Sequence, residues 1–252
     1  MYRWGGFSYG GKPVERFTRT ALVVGNEALH RLAQMKVAVF GVGGVGGAVC
    51  EALARSGIGT LVLVDYDVVD ITNINRQIVA LESTIGLPKV EVMAERIRQI
   101  NPNCRVIPMR QFYEPGRADE FLTPDLDYVV DAIDSVSSKV DLLVQCHSRK
   151  IPVVSAMGAG NKLDPTQLRI VDISETHTCP LARVVRLGLR ERGIHCGIRV
   201  VFSPEPPTRV TPGRTPGSTA FVPPAAGLAL ASWVVRDLLE RSGGREPIQP
   251  SQ

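Results

Sequence analysis

The chain has 252 residues, of which 44% are hydrophobic, so it is long enough to bury a large core in one domain, with or without an appendage. Its formal net charge of +4 permits a polyanionic partner such as RNA but does not require one. The five cysteines are scattered and form no CxxC pair, which argues against a disulfide framework and a structural zinc site and indicates a reducing cytoplasm.

The first part of the chain predicts a phosphate-binding unit. After an N-terminal arm (1–15) without the apolar run of a signal peptide, apolar spacing predicts one helix over 20–34. The stretch MKVAVFGVGGVGGAVCEALARSGIGTLVLVD (35–65) then predicts a strand, a glycine turn, a helix and a strand that ends in Asp65. A loop rich in Asp, Asn and Thr follows over 65–77. This order is the outline of a dinucleotide-binding unit.

Helices and strands continue to alternate as far as about residue 160. We predict helices over 87–102, 117–122 and 135–150, and strands over 104–112, 126–134 and 151–160. Such alternation predicts an α/β fold with a doubly wound, mostly parallel sheet.

The C-terminal third predicts an extension of this sheet. A strand over 164–174, a helix over 179–193 and a strand over 195–205 are followed by a Pro-, Gly- and Thr-rich loop (204–224) that we expect to be mobile. The uncharged stretch 218–235 contains Pro223 and Pro224 and leads into an amphipathic segment, which favours a buried or docking helix over a membrane span. We therefore expect no stable membrane insertion. The tail 241–252 is predicted to be disordered.

The glycine turn GVGGVG is the first candidate site. Glycines let phosphate oxygens approach the backbone N–H groups at a helix N-terminus, although a tight turn without a ligand has the same sequence. Asp65 lies 19 residues after Gly46, where a carboxylate can accept hydrogen bonds from ribose hydroxyls. Together these features indicate a nucleotide but not which one. The turn glycines are Gly41, Gly43, Gly44 and Gly46.

The polar cluster after the second strand favours ATP. Guanidinium, ammonium and amide donors beside a phosphate turn suit the charge of a triphosphate better than that of a pyrophosphate diester. The stretch DYDVVDITNINRQ and the helix after it supply Asp65, Asp67, Asn73, Asn75, Arg76, Gln77 and Lys89.

A carboxylate beyond this cluster suggests a magnesium site. Asp134 ends the predicted strand 126–134, where ligands bind in open α/β sheets, and its oxygens suit Mg²⁺. The alternative is that Asp134 caps the helix that follows. Asp131 is a weaker candidate, because strand alternation directs it elsewhere.

A basic helix suggests contact with RNA. Arg183, Arg186 and Arg190 have the spacing to share one helix face, which fits phosphate contacts along an RNA stem. The alternative is a solvated basic surface. Arg209 and Arg214, in the loop before Pro223, are candidates to close over a substrate.

These motifs resemble known proteins. GVGGVG, VDYDVVDITNINRQ, GLPKVEVM and DAIDS together are similar to the ubiquitin-activating-enzyme-like adenylyltransferases, which include enzymes that activate sulfur-carrier proteins. Within that superfamily, the tRNA threonylcarbamoyladenosine dehydratases resemble the chain most, in RFTRTALVVGNEAL, MGAGNKLDPTQLRIVDISETHT, IRVVFSPE and TAFVPPAAGL. The resemblance covers about 16–240 and implies a Rossmann-like, ThiF-type adenylation domain over those residues, with a C-terminal strand and helix extension.

The resemblance also implies a role for each polar residue. The implied ATP site has Gly41, Gly43, Gly44 and Gly46 at the phosphates, Asp65 at the ribose, Asn73 and Arg76 at the triphosphate, Lys89 at the α-phosphate, Asp134 at Mg²⁺, and Asp67 and Gln77 beside them. Arg19, and less readily Arg16, stands where relatives supply an arginine across a homodimer; the alternative is a solvated surface arginine. Arg76, Lys89 and Arg19 are the implied catalytic residues.

The implied reaction is ATP-dependent cyclisation of threonylcarbamoyladenosine beside the tRNA anticodon. A carboxylate is first adenylated and then closed by the substrate's own ureido group, so no enzyme cysteine is needed. Cys179 and Cys196 are accordingly interpreted as incidental thiols, and Val200 stands where some dehydratases have a cysteine. The alternatives are activation of the C-terminal glycine of a ubiquitin-like sulfur-carrier protein, with that carrier or a sulfur-relay protein as partner, and a non-catalytic nucleotide-binding scaffold.

Overall fold

The computed structural model describes residues 8–9, 12–13, 16–208 and 216–242. Two short strands, β1 (Ser8–Tyr9) and β2 (Lys12–Pro13), pair antiparallel within the N-terminal arm. The rest of that arm, Arg209, Arg214 and the tail from 243 onwards lie outside the described residues, as does the centre of the loop predicted to be mobile.

Seven strands form the main sheet, in the order β5-β4-β3-β6-β7-β9-β8. All neighbouring pairs are parallel except β8 and β9, which are antiparallel. This confirms the predicted α/β fold with a doubly wound, mostly parallel sheet and a C-terminal extension. The strands are β3 (Lys36–Phe40), β4 (Thr60–Val64), β5 (Arg105–Met109), β6 (Tyr128–Asp131), β7 (Val153–Ala156), β8 (Arg169–Asp172) and β9 (Arg199–Phe202).

Helices cover both faces of this sheet, so its central strands β3 and β4 carry apolar side chains towards both faces. Within β3, Val37 and Val39 belong to one apolar cluster, and Ala38 and Phe40 to the opposite one. The helices are α1 (Thr18–Val24), α2 (Asn26–Leu32), α3 (Gly44–Arg55), α4 (Lys89–Ile100), α5 (Val136–Ser148), α6 (Pro180–Arg190) and α7 (Val222–Ser242). Residues of α3, α4 and α7 pack in the first cluster, and α5 packs on the opposite face.

Some predicted elements differ from the structure. The single helix predicted over 20–34 is divided into α1 and α2, because Gly25 has φ +88°, outside the helical region. The helix predicted over 117–122 is a single 3₁₀ turn, Ala118–Glu120. Strand β6 ends at Asp131 instead of 134, because the Asp131 side chain accepts a hydrogen bond from the backbone of Ile133 and bends the chain.

The C-terminal helix α7 packs closely on α3. A Cβ on Gly227 would lie 2.3 Å from the carbonyl oxygen of Val45, so only glycine allows this approach. Ala226, Leu230 and Val234 are buried in the core. By length and composition α7 could also cross a membrane, but its buried face agrees with the predicted core helix.

Strands β3 and β6 are neighbours in the sheet, but the chain leaves them towards opposite faces, to α3 and α5. Such a switch point leaves a crevice at the carboxyl ends of the strands, where ligands bind in open α/β sheets. It brings the glycine turn after β3 next to the residues that follow β6.

Candidate active site

A cavity of about 760 Å³ opens at the carboxyl ends of the central strands. One part of its wall consists of the glycine turn and the polar loop after β4, and another consists of residues that follow β6 and β7. The predicted site residues on this wall are Gly41, Gly43, Gly44, Asp65, Asp67, Asn73, Arg76, Gln77, Lys89 and Asp134.

The glycine turn is shaped by close backbone contacts. Gly41 has φ +87°, and a Cβ at this residue would lie 2.6 Å from the carbonyl oxygen of Ala132. Gly43 caps α3 without a side-chain hydrogen bond, which leaves the N–H groups at the start of the helix available to an anion. Gly46 is not on the cavity wall: a Cβ there would lie 1.7 Å from the carbonyl oxygen of Gly41, so this glycine permits the turn instead of facing a phosphate.

Asp65 holds the start of the polar loop. Its carboxylate accepts hydrogen bonds from the backbone N–H groups of Val42, at 2.6 Å, and Asp67, at 2.8 Å. Burial raises the pKa of the Asp65 carboxyl, while these two N–H groups and the Lys89 ammonium act to lower it. Each carboxylate oxygen keeps a further lone pair, so Asp65 can still accept a hydrogen bond from a ribose hydroxyl.

Lys89 and Asp67, both predicted to serve ATP, are paired with each other. The Lys89 ammonium lies 2.7 Å from the Asp67 carboxylate, and the lysine side chain is only 7% exposed. A buried ammonium requires such a counter-charge, and the pair keeps it at the cavity wall. An arriving phosphate would therefore compete with Asp67 for this ammonium.

Arg76 is oriented by its neighbours. Its Nη1 donates to the Thr72 carbonyl at 2.9 Å and to the Asn75 side-chain oxygen at 2.8 Å. The Asn75 amide in turn donates to the Ser218 carbonyl at 2.8 Å, which joins the polar loop to the segment before α7.

Two buried amides complete this side of the cavity. The Asn73 oxygen accepts from the backbone of Asp70, so its NH₂ group is left for a ligand. The Gln77 side-chain oxygen has no hydrogen-bond partner among the described residues. The two ends of an amide are interchangeable, so Gln77 can present either a donor or an acceptor to a ligand.

Asp134 is exposed on the cavity wall, three residues beyond β6, and has no hydrogen bond to any described residue. Ser135, and not Asp134, is the N-cap of α5, so the capping alternative is wrong. The Asp67 carboxylate raises the pKa of the nearby Tyr66 hydroxyl most, and burial and the Asp134 carboxylate raise it further. No cluster of three or more potential metal ligands exists within the described ranges. A magnesium ion held by Asp134 and by phosphate oxygens fits this arrangement.

Asp131 points away from the cavity, as alternation predicted. Its carboxylate is completely buried and accepts hydrogen bonds from the Lys139 ammonium at 2.7 Å and the Ser155 hydroxyl at 2.5 Å. Lys139 also donates to the Ala156 carbonyl at 3.0 Å. This group ties the ends of β6 and β7 together directly behind the cavity wall.

The remaining predicted arginines lie elsewhere. Arg19 is exposed on α1 and is not part of the cavity wall, and Arg16 donates to the carbonyl of Ile100 at the end of α4. Arg183 and Arg190 are exposed on α6. Arg186 instead donates to the carbonyl and hydroxyl oxygens of Thr176, so the expectation of a continuous three-arginine face is wrong.

Several wall residues were not predicted from the sequence. Tyr66 and Phe112 pack edge to face at 4.9 Å, and Lys162 lies on the segment that follows β7. The position of MGAGNK after a strand was the available signal for this segment. Cys179 is buried on the wall, whereas Cys196 is exposed and is not part of it.

The close approach at Gly41 can be tested against a matched glycine. Gly41→Ala should weaken ATP binding at least tenfold, because the new methyl group pushes the turn away from Ala132. Gly116 has the same φ, +87°, but open space around it, so Gly116→Ala should lose only about 1–2 kcal/mol of stability. Calorimetric titration with ATP and urea unfolding give the two quantities. Equal ATP affinities of the two variants would contradict this role of the turn.

Comparisons with known proteins agree with this geometry. Residues 17–250 match the model of the ThiF family. A tRNA threonylcarbamoyladenosine dehydratase of Bacillus subtilis (strain 168) is 48% identical over 243 residues, 90% of this chain and 96% of the relative. A crystal structure of the E. coli tRNA N6-threonylcarbamoyladenosine dehydratase in complex with ATP has a TM-score of 0.85 and 40% identity, and the match covers 90% of this chain and 95% of that one.

A more distant relative allows the dehydratases to be compared with the enzymes that activate carrier proteins. A molybdopterin-synthase adenylyltransferase of E. coli (strain K12) is 33% identical over 131 residues, which is only 52% of this chain and 51% of the relative. The dehydratases match far more of the chain, so the resemblance to them and the ThiF-type fold are both confirmed. This chain belongs to the ThiF family.

Proposed function

We propose that this chain catalyses the ATP-dependent dehydration of threonylcarbamoyladenosine beside the tRNA anticodon. The observation that carries the proposal is the convergence of Arg76, Lys89, Asp134 and the glycine turn on one cavity. These groups suit a triphosphate, and the chain is similar over most of its length to proteins named for this reaction.

In the first step, a carboxylate oxygen of the threonyl group attacks the α-phosphorus of ATP. A new O–P bond forms, the bond to pyrophosphate breaks, and an acyl adenylate results. Negative charge grows on the phosphate oxygens, where the Lys89 ammonium, the Arg76 guanidinium and the N–H groups at the start of α3 stabilise it. Magnesium, which Asp134 would hold, supplies further charge neutralisation.

In the second step, the ureido group of the same nucleoside attacks the activated carbonyl carbon. The bond to AMP breaks and the ureido group loses a proton, so the net change is the loss of one water and the closure of a ring. The nucleophile is already attached to the substrate, so the protein mainly has to position it and exclude water. This step needs no thiol, which agrees with the burial of Cys179 and the remote position of Cys196.

The proposed reaction can be tested directly. We expect the protein, incubated with ATP, Mg²⁺ and tRNA that carries threonylcarbamoyladenosine, to convert this nucleoside into a product lighter by one water, as measured by mass spectrometry after digestion. If the open nucleoside persists and AMP forms only when a sulfur-carrier protein is added, the chain is a carrier-activating adenylyltransferase. ATP binding without turnover in either case would indicate a scaffold.

The same assay tests the residue assignments. Lys89→Ala and Asp134→Ala should each lower turnover at least a hundredfold, because the first removes a positive charge beside the reacting phosphate and the second removes the carboxylate that would hold magnesium. Arg98→Ala, on the same helix as Lys89, and Glu240→Ala, on α7, serve as exposed controls. Circular dichroism checks that the variants fold. Wild-type rates in both site variants would refute the assignment.

We also propose that the chain forms a homodimer around the nucleotide loop. Large apolar side chains are exposed along 66–87 and on α1, and clustering of such side chains on a surface is typical of protein interfaces. On α1, no residue is buried within the described chain. The exposed residues are Leu22, Val23, Tyr66, Val68, Ile71, Ile74, Ile78, Leu81, Ile85 and Leu87. Arg19 belongs to the same helix as Leu22 and Val23, so a second subunit could carry it to the cavity.

Mixing two inactive variants tests this arrangement. Arg19→Ala and Lys89→Ala should each be inactive alone. If Arg19 acts across the dimer, unfolding and refolding them together should restore about a quarter of wild-type turnover, because each heterodimer has one intact site. A mixture that stays inactive while sedimentation shows dimers would contradict action across the interface.

The tRNA would lie along α6. Cys179, Pro180 and Leu181 are on the cavity wall, and the exposed Arg183 and Arg190 follow over about 15 Å of helix. Such a stripe suits phosphates of the stem next to the modified nucleoside, and binding should weaken as salt is raised. A tRNA substrate and the reduced cysteines favour a cytoplasmic location.

A further inference from the structure

One side of the cavity carries none of the residues assigned to ATP. It consists of residues 158–162 after β7, Cys179–Leu181 at the start of α6, and Pro216–Ser218 before α7, which we call the distal wall. The proposed reaction brings two molecules together, so the distal wall is left for the nucleoside that ATP activates.

The distal wall contains a buried lysine. Lys162 is only 3% exposed, and its ammonium donates to the carbonyl oxygens of Ser203 and Glu205, each at 2.7 Å. A lysine ammonium has three N–H donors. No acceptor for the third exists within 16–208 and 216–242.

Lys162 differs from the other buried lysines in having no carboxylate in direct contact, although the Glu205 carboxylate attracts it from further away. Lys89 and Lys139 each lie 2.7 Å from a carboxylate. The Glu205 carboxylate does not bond to the Lys162 ammonium, because it accepts from the backbone N–H groups of Leu163 and Asp164, at 2.9 and 3.1 Å. In the described parts of the chain, no carboxylate lies within 4.0 Å of the Lys162 ammonium.

A buried ammonium without a carboxylate in direct contact is costly, and burial lowers the pKa of Lys162 by more than the distant Glu205 carboxylate raises it. A bound anion at the third N–H removes this cost, because the two carbonyls already fix the direction of the side chain. The cavity side of Lys162 is therefore prepared for a negatively charged group.

The backbone around Lys162 is also held in place. Asn161 has φ +58°, a left-handed conformation that is unfavourable for most residues with a side chain. It exchanges two hydrogen bonds with Gly217, one through its backbone N–H and one through its side-chain oxygen, at 2.8 and 2.7 Å. Its carbonyl accepts from Thr208 at 2.7 Å. These bonds fix the distal wall before any ligand arrives.

We propose that Lys162 binds the threonyl carboxylate of the substrate nucleoside and presents it to ATP. The inference rests on the proposed function, which supplies a substrate whose reacting group is itself a carboxylate. Lys162 would hold the oxygen that does not attack, leaving the other free to approach the α-phosphorus. It is then a substrate-binding residue on the distal wall, distinct from the cations assigned to the phosphates.

The test compares two tRNAs in the absence of ATP: one bearing threonylcarbamoyladenosine, and the same tRNA with unmodified adenosine. The wild-type protein should bind the modified tRNA about tenfold or more tightly, as a charge-assisted hydrogen bond predicts. Lys162→Met should bring this ratio close to one. Lys150→Met, at an exposed lysine away from the cavity, should leave it unchanged.

A second variant guards against loss of the fold. Lys162→Gln keeps two N–H donors for the Ser203 and Glu205 carbonyls but removes the charge, and it should also lose the discrimination while binding ATP normally. Lys162→Arg should retain part of the discrimination between the two tRNAs. The inference is overturned if the wild-type protein does not discriminate, or if Lys162→Met or Lys162→Gln keeps the wild-type ratio. Failure of the proposed function would appear separately, as discrimination without conversion when ATP is added.

Discussion

The site depends on one contact between two backbones, that of Gly41 with Ala132. No side chain fits between them, so the turn after β3 and the bend after β6 lie against each other at the switch point of the sheet. Each segment is also stabilised locally. Gly46 leaves room for the Gly41 carbonyl in the turn, and the Asp131 carboxylate accepts a hydrogen bond from the backbone of Ile133 in the bend. The phosphate turn and the acidic residue Asp134 therefore cannot be displaced independently.

Two buried lysines line the cavity and a third lies behind its wall, and the charge of each is compensated differently. Lys139 is fully enclosed with Asp131 and Ser155 and serves as a permanent tie between strands. Lys89 pairs with Asp67, whose side chain is 43% exposed and can yield its place to a phosphate. The Lys162 ammonium is hydrogen-bonded only to two carbonyl oxygens among the described residues. The degree of compensation therefore follows the role proposed for each lysine. The fully paired Lys139 is structural, Lys89 can exchange its partner for a phosphate of ATP, and Lys162 has a free donor for the second substrate.

The fold and one half of the site were predictable from the sequence because their signals are local. Apolar strands, glycine turns and a polar loop after a strand show in short windows, and the carboxyl ends of parallel strands meet at one edge. The pairing of Lys89 with Asp67 was not predictable, because either residue alone fits a phosphate site. The role of Lys162 was not predictable for a different reason. Its hydrogen-bond partners lie about forty positions further along the chain, and nothing near it in sequence indicates that it is buried. For Arg186, the sequence correctly predicted a position on a helix. It could not show that the guanidinium donates to the carbonyl of Thr176 and is therefore not free for RNA.

The packing of α7 on α3 has a consequence for the order in which the protein is made. A Cβ on Gly44 would lie 3.2 Å from the side chain of Pro223, and Gly227 lies against Val45, so the last helix buttresses the phosphate turn. Gly44 and Pro223 are 179 positions apart (223 minus 44). On the ribosome, the first two thirds of the sheet can form early, as N-terminal segments generally do. The turn acquires this support only after α7 has emerged, so a nascent chain that lacks α7 would have an unsupported phosphate turn.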